Sequence, residues 1–217
     1  MARKPADQSV NRADIIRAAA EVLQRSGYEA ATMKDIAAQV NLTAASLYHH
    51  FRNKDALLLA VLEVGMDYII QRVEPIACGT QPSADKLRAM IREHIVGVTE
   101  NTAVGAAMVF EIRTLMNVNP PTKTAPQDDW DAYHQFISGR NKFFARRDHF
   151  ESLFRQVVRE GMERGAFRPV DVPIYVKMLL GAHNWVGVWF KPDGRLNGGE
   201  IAERFADALL TGLSNED

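Results

Sequence analysis

Apolar positions recur along this chain at helical spacing, and no stretch alternates apolar and polar residues as a half-buried strand would. Over 11–26, Ile15, Ile16, Ala19, Ala20, Val22 and Leu23 form a wide apolar face, with Asn11 as N-cap and Gly27 as the stop. Thr32 then precedes a short run in which Met33, Ile36, Ala37 and Val40 share one side. Asn41 follows where the chain must turn, and Asn accepts left-handed backbone better than other non-glycine residues. Thr43 opens a second short helix with Leu47 and Phe51 four apart on its inner side. After a break at Arg52 and Asn53, Leu57, Leu58, Val61, Leu62, Val64, Met66 and Ile69 predict a long helix.

Beyond Pro75 the pattern stays helical. Leu87, Met90, Ile91, Ile95 and Val98 mark a helix over 83–101, and 103–116 is nearly all apolar apart from Glu111 and Arg113. Pro120, Pro121 and Pro126 predict a loop over 117–129, followed by a long helix from about Arg140 to Arg164. Asp171 caps the next helix, with Pro173 in its first turn, and it runs to about Phe190. Asn197 and Glu200 have the spacing of a capping box and start a last helix that ends near Gly212. The pattern predicts an all-α fold of about nine helices.

Composition narrows the class. The chain has 217 residues, 47% of them hydrophobic and 24% charged, enough apolar content for a buried core and too much for a disordered tail. No run reaches the roughly 18 uninterrupted apolar residues of a membrane span, and no apolar segment follows Arg3 and Lys4. The expectation is a cytoplasmic protein with no membrane partner. The lone Cys78 allows no internal disulfide and fits a reducing compartment. A net charge of −1 argues at first against nucleic acid, but residues 1–55 hold eight Lys or Arg against six Asp or Glu. That segment is therefore +2 and the remainder −3, so charge neither favours nor excludes DNA.

The segment from Thr32 to His50 carries the functional signal: a short amphipathic helix, a tight turn and a second helix too short and polar for a core. This is the helix-turn-helix plan, in which the second helix enters the major groove of double-stranded DNA. Thr32 and Thr43 stand at helix N-termini, where a hydroxyl and free N–H groups can meet phosphate. With Leu47 and Phe51 turned inward, Ala44, Ala45, Ser46, Tyr48, His49 and His50 remain for the opposite side. Small residues at the leading end permit close approach to bases, and Lys34 and Lys54 add positive charge toward the backbone. His49 and His50 are adjacent, hence about 100° apart on a helix and a poor chelating pair, so no metal site is expected.

The run ATMKDIAAQVNLTAASLYHHFRNKDALLLAVLE resembles the DNA-binding signature of TetR-family transcriptional repressors. The matching elements are Thr32, Ile36-Ala37, Thr43, Leu47-Tyr48, His50-Phe51 and Lys54; Asn41 stands where that family most often has Gly. A second stretch, including Asn184-Trp185 and Trp189-Phe190-Lys191-Pro192-Asp193-Gly194, is similar to members of the family that respond to acyl-CoA thioesters. The resemblance implies a homodimeric repressor of a palindromic operator, with residues 1–55 as the DNA-binding domain and 56–217 as the ligand-binding and dimerisation domain. It implies a small-molecule effector, candidate cations for CoA phosphates at Arg140, Lys142, Arg146, Arg147 and Lys191, and no resident cofactor. Met66, Phe110, Arg113 and Arg146, with Asn184, Trp185 and Trp189, are the expected ligand residues.

Dimerisation has its own sequence support. Met178, Gly181 and Trp185 recur at three- and four-residue steps in the penultimate helix, as do Phe205, Ala208 and Leu209 in the last. Small residues among them allow close helix approach. The competing class is a helical-bundle enzyme acting on a small molecule. It has no Gly-x-Ser-x-Gly, no Glu-x-x-His pair and no Gly-rich phosphate loop to support it, so no catalytic residue is assigned.

Overall fold

The computed structural model describes residues 10–214; Arg3 and Lys4 lie outside that range. It is all-α, and the described residues contain no strand. In chain order the helices are α1 (Arg12–Ala30), α2 (Met33–Gln39), α3 (Ala44–His50), α4 (Lys54–Ala77), α5 (Ser83–Glu100), α6 (Thr102–Phe110), α7 (Gln127–Glu163), α8 (Val172–Trp189) and α9 (Gly198–Thr211). None is long and apolar enough to cross a membrane.

Local chemistry sets most of the helix starts. The side chains of Asn11, Thr32, Thr43, Asn53, Asp171 and Asn197 each accept from a backbone N–H of the first turn, satisfying one of the donors a helix leaves free. At Asn197 the reciprocal bond from its own N–H to the Glu200 carboxylate completes the expected capping box, and Thr32 with Asp35 makes another.

Three expectations need correction. Gly27 does not end α1. Its backbone turns to φ +70°, ψ 166°, and one more helical turn follows at an angle. The run 103–116 is not one helix: α6 stops at Phe110, and a 3₁₀ turn spans Thr114–Asn117. The loop before α7 is also shorter than read, because α7 begins at Gln127 directly after Pro126 instead of near Arg140. Asp128 and Asp129 favour its positive N-terminus. Phe136, Phe143, Phe150 and Val157, seven residues apart, bury a single seam along its length.

α1, α2 and α3 form a small head closed by Leu47 and Phe51. α4 packs on α1 at one end and on α5, α6 and α7 along its length, so it is shared between head and body. α8 and α9 lie against α5. At the far end of α4, the buried Lys86 of α5 donates to Ala77 O at 3.0 Å and to Glu160 of α7 at 2.9 Å, tying three helices together.

Candidate nucleic-acid interface and ligand cavity

In the head, Asn41 adopts φ +57° between α2 and α3, the left-handed conformation anticipated from its position. Leu42 N–H donates to Ala37 O at 2.8 Å and closes the turn. Thr43 Oγ1 accepts from Ser46 N–H at 3.1 Å. Leu47 is sealed beneath α3, and Ala45, Tyr48, His49 and His50 are exposed on its outer side, with Ala44 and Ser46 half-buried beside them. Thr32, the N-cap of α2, and Lys34 in its first turn are exposed. The Thr32 hydroxyl already engages Asp35, and that bond holds the Asp35 carboxyl below its ordinary range.

Lys54 departs from its expected placement. Its ammonium turns inward, donating to Tyr28 O at 2.6 Å and Ala31 O at 2.9 Å and lying 4.1 Å from the Tyr28 ring centre. The carbonyls left open where α1 ends attract the cation, so it is not a free charge projecting toward DNA. The Tyr28 hydroxyl donates to Asp55, and burial first, then this bond, raises its pKa. Glu111, at the end of α6, accepts from the Tyr28 backbone N–H at 3.0 Å. Arg113 is exposed.

The body holds a cavity of about 280 Å³ walled by α4, α5, α6, α7 and α8. Of the residues expected there, Met66 and Asn184 line it. Phe110, Arg113, Arg146, Trp185 and Trp189 do not. Arg146 is held by Asp67 at 2.5 Å, whereas its neighbour Arg147, one helical step round α7, faces the cavity with Lys177 and Glu151. Arg140 reaches the Leu115 carbonyl, and Lys142 and Lys191 are exposed away from the lining. Glu151 is buried and paired with Lys177 at 3.3 Å and with Arg155.

Two histidines were not anticipated as a unit. His94 of α5 and His183 of α8 meet Nδ1 to Nδ1 at 3.2 Å, surrounded by Phe150, Phe154 and Phe205. Burial lowers both pKa values, His94 to about 4, so both rings are neutral at pH 7. His94 lines the cavity; His183 lies behind it, fully sealed. Helical spacing signals that each faces inward but cannot pair residues 89 apart in sequence.

Ile174, Met178, Trp185 and Trp189 form an exposed apolar stripe down α8, each about half accessible. The Trp185 ring meets exposed Phe110 edge-on at 6.4 Å. A Cβ added at Gly181 would meet nothing within 4 Å. On α9, Ala208 is exposed and Phe205 and Leu209 are half-buried.

Two family profiles match the chain: residues 15–61 match "Bacterial regulatory proteins, tetR family", and 137–213 match "Tetracyclin repressor-like, C-terminal domain". The chain is similar to the transcriptional repressor KstR2 of Mycolicibacterium smegmatis, with 24% identity over 97% of this chain and 94% of that one. The structure resembles the TetR-family regulator PfmR from Thermus thermophilus (29% identity, TM-score 0.76, covering 94% of this chain and 100% of that one). It also resembles AibR in complex with isovaleryl coenzyme A and operator DNA (28% identity, TM-score 0.70, covering 92% and 96%). The chain belongs to the TetR family of bacterial regulatory proteins.

Proposed function

We propose that this protein is a homodimeric, cytoplasmic transcriptional repressor that binds a palindromic DNA operator and is released by a small molecule in the body cavity. Residues 1–55 form the DNA-binding domain and 56–217 the ligand-binding and dimerisation domain. The observation that carries the reading is that α4 both closes the head and walls the cavity, so occupancy of one end can bias the other.

In this reading α3 lies in the major groove. Ala44, Ala45, Ser46 and His49 sit over base edges, and Tyr48, His50, Thr32, Thr43 and Lys34 position the phosphate backbone. Lys54 acts from inside, fixing the turn that carries α2. Two copies pair through the α8 stripe and α9, with Met178, Gly181, Trp185, Phe205, Ala208 and Leu209 in the contact, bringing two heads to two half-sites.

The effector proposed is an acyl-CoA thioester. About 280 Å³ is room for an acyl chain and not for a whole CoA, so the nucleotide would remain at the mouth, where Arg147 and Lys177 supply cations. The isovaleryl-CoA complex of AibR supports this chemistry. A gel shift with the DNA upstream of the protein's own gene tests the reading. Saturable binding that this fragment competes and random DNA does not is the expected result. Equal competition by random DNA would leave no operator to repress.

A further inference from the structure

The interior of the cavity is mostly apolar, lined by Val64, Ile69, Val98, Val104 and Met108, while Arg147, Glu151 and Lys177 supply its charges. Tyr68, Asn101, Asn184 and His94 are the uncharged polar residues of the lining, and among them only His94 is buried: a ring 4% exposed whose Nδ1 is spent on His183. We infer that His94 presents Nε2–H to the cavity as a fixed hydrogen-bond donor, and that the site selects effectors carrying a neutral carbonyl oxygen at that depth, the oxygen of a thioester.

The tautomers follow from what surrounds each ring. In a neutral pair joined Nδ1 to Nδ1, one ring donates and the other accepts, which fixes the proton on each remaining nitrogen. His183 Nε2 is sealed without a partner among the described residues. Buried N–H groups left without an acceptor are rarer than buried acceptors left without a donor, so His183 Nε2 is the bare nitrogen. His183 then carries its proton on Nδ1 and donates it to His94 Nδ1. The His94 proton is consequently on Nε2, the ring nitrogen not used in the bond to His183. His183 is a positioning residue: it sets the tautomer of His94 without reaching the cavity itself.

The same arrangement disfavours a free carboxylate at this depth. Balancing that charge would require a protonated histidine, and the phenylalanines around the pair oppose one. A carboxylate would be held at Arg147 and Lys177 instead, leaving His94 unpaired. A thioester can satisfy both, with its carbonyl at His94 and its phosphates at the cations.

This inference rests on the acyl-thioester reading of the cavity, and one calorimetric comparison separates the two. The full-length dimer is titrated with octanoyl-CoA, with S-octyl-CoA, a thioether of equal chain length lacking the carbonyl, and with octanoate. We expect octanoyl-CoA to bind about tenfold tighter than the thioether, the worth of one buried neutral hydrogen bond, and octanoate to bind more weakly than octanoyl-CoA. The preference should fall to within about twofold in His94→Phe and survive in His94→Gln, which keeps a donor. Equal binding of thioester and thioether by the unaltered protein would overturn the role of His94 while leaving the CoA reading standing. So would a preference that persists in His94→Phe. If neither CoA compound binds, the CoA reading falls and takes this inference with it. The comparison on the unaltered protein decides the matter even if a variant fails to fold.

Discussion

The backbone N–H of Tyr28 donates to the carboxylate of Glu111 across 83 residues of sequence, at 3.0 Å. It joins the last turn of α1 to the end of α6, the helix that contributes Val104, Gly105 and Met108 to the cavity wall. The amide is free to make this bond because Gly27, at φ +70°, interrupts the helical ladder just before it. A residue with a side chain would be strained at that angle. From Tyr28 the connections continue to Lys54 and Asp55 at the start of α4. Head and body are therefore linked by a polar junction as well as by the length of α4.

Replacing Glu111 with Ala should leave the Tyr28 amide without its acceptor. We expect a loss of about 1 kcal/mol in stability, an increase of about fivefold in hydrogen exchange at that amide, and recovery of most of both in Glu111→Gln. Exchange mass spectrometry across 24–32 is the check. Unchanged protection in Glu111→Ala would mean that the junction contributes nothing.

Lys54→Ala should act through folding of the head, because its ammonium serves the Tyr28 and Ala31 carbonyls at the end of α1 and the Tyr28 ring. The expected cost is about 1–3 kcal/mol, read by denaturant melting. The salt dependence of DNA binding should keep the parent's slope, since no phosphate contact is lost. A slope reduced by about one with stability intact would place this lysine on the DNA instead.

What could be read from the sequence was local. Asn11, Thr32, Thr43, Asp171 and Asn197 announce helix starts because a cap reaches only three residues ahead, and the left-handed turn at Asn41 depends on that residue alone. The outer face of α3 followed from Leu47 and Phe51 in the same way. The cavity did not, because it is assembled from five helices and turns on small rotations: Arg147 faces inward and Arg146 outward on the same helix. Trp185, read as both pocket and interface, and Trp189, read as pocket, project to the outside. The seven-residue phenylalanine seam of α7 was a visible sign that the helix starts earlier, but the three prolines before it masked that signal.

The buried histidine pair makes stability depend on pH in a defined direction. The folded state keeps His94 neutral down to about pH 4, whereas the unfolded chain takes up a proton near its ordinary pKa of about 6.5. The unfolded state thus binds more protons as pH falls through this window, and stability declines between about pH 6.5 and 4. At pH 5 His94 alone should cost about 2 kcal/mol relative to pH 7.5, with His183 adding in the same direction. Urea melts of the parent and His94→Phe at both pH values check this: the variant should lose about 2 kcal/mol less on acidification.

The exposed stripe of α8 should be the seam of the dimer. Placing a charge there, as in Met178→Glu or Trp185→Glu, should shift the protein toward monomer by sedimentation velocity, since an unpaired charge in an apolar interface costs several kcal/mol. Both residues are more than half exposed in the single chain, so the helical content of the monomer should remain. A dimer of unchanged stability in both variants would move the interface elsewhere.

The most direct test of the whole account is selection of DNA from a random pool by the full-length protein, followed by hydroxyl-radical footprinting on the selected sequence. A dimer carrying two helix-turn-helix heads predicts a palindromic site with two protected half-sites, their centres separated by one helical turn or a multiple of it. Tyr48→Ala should weaken protection of both halves equally. A selected site without two-fold symmetry, or protection that survives intact in the Tyr48→Ala variant, would contradict the account.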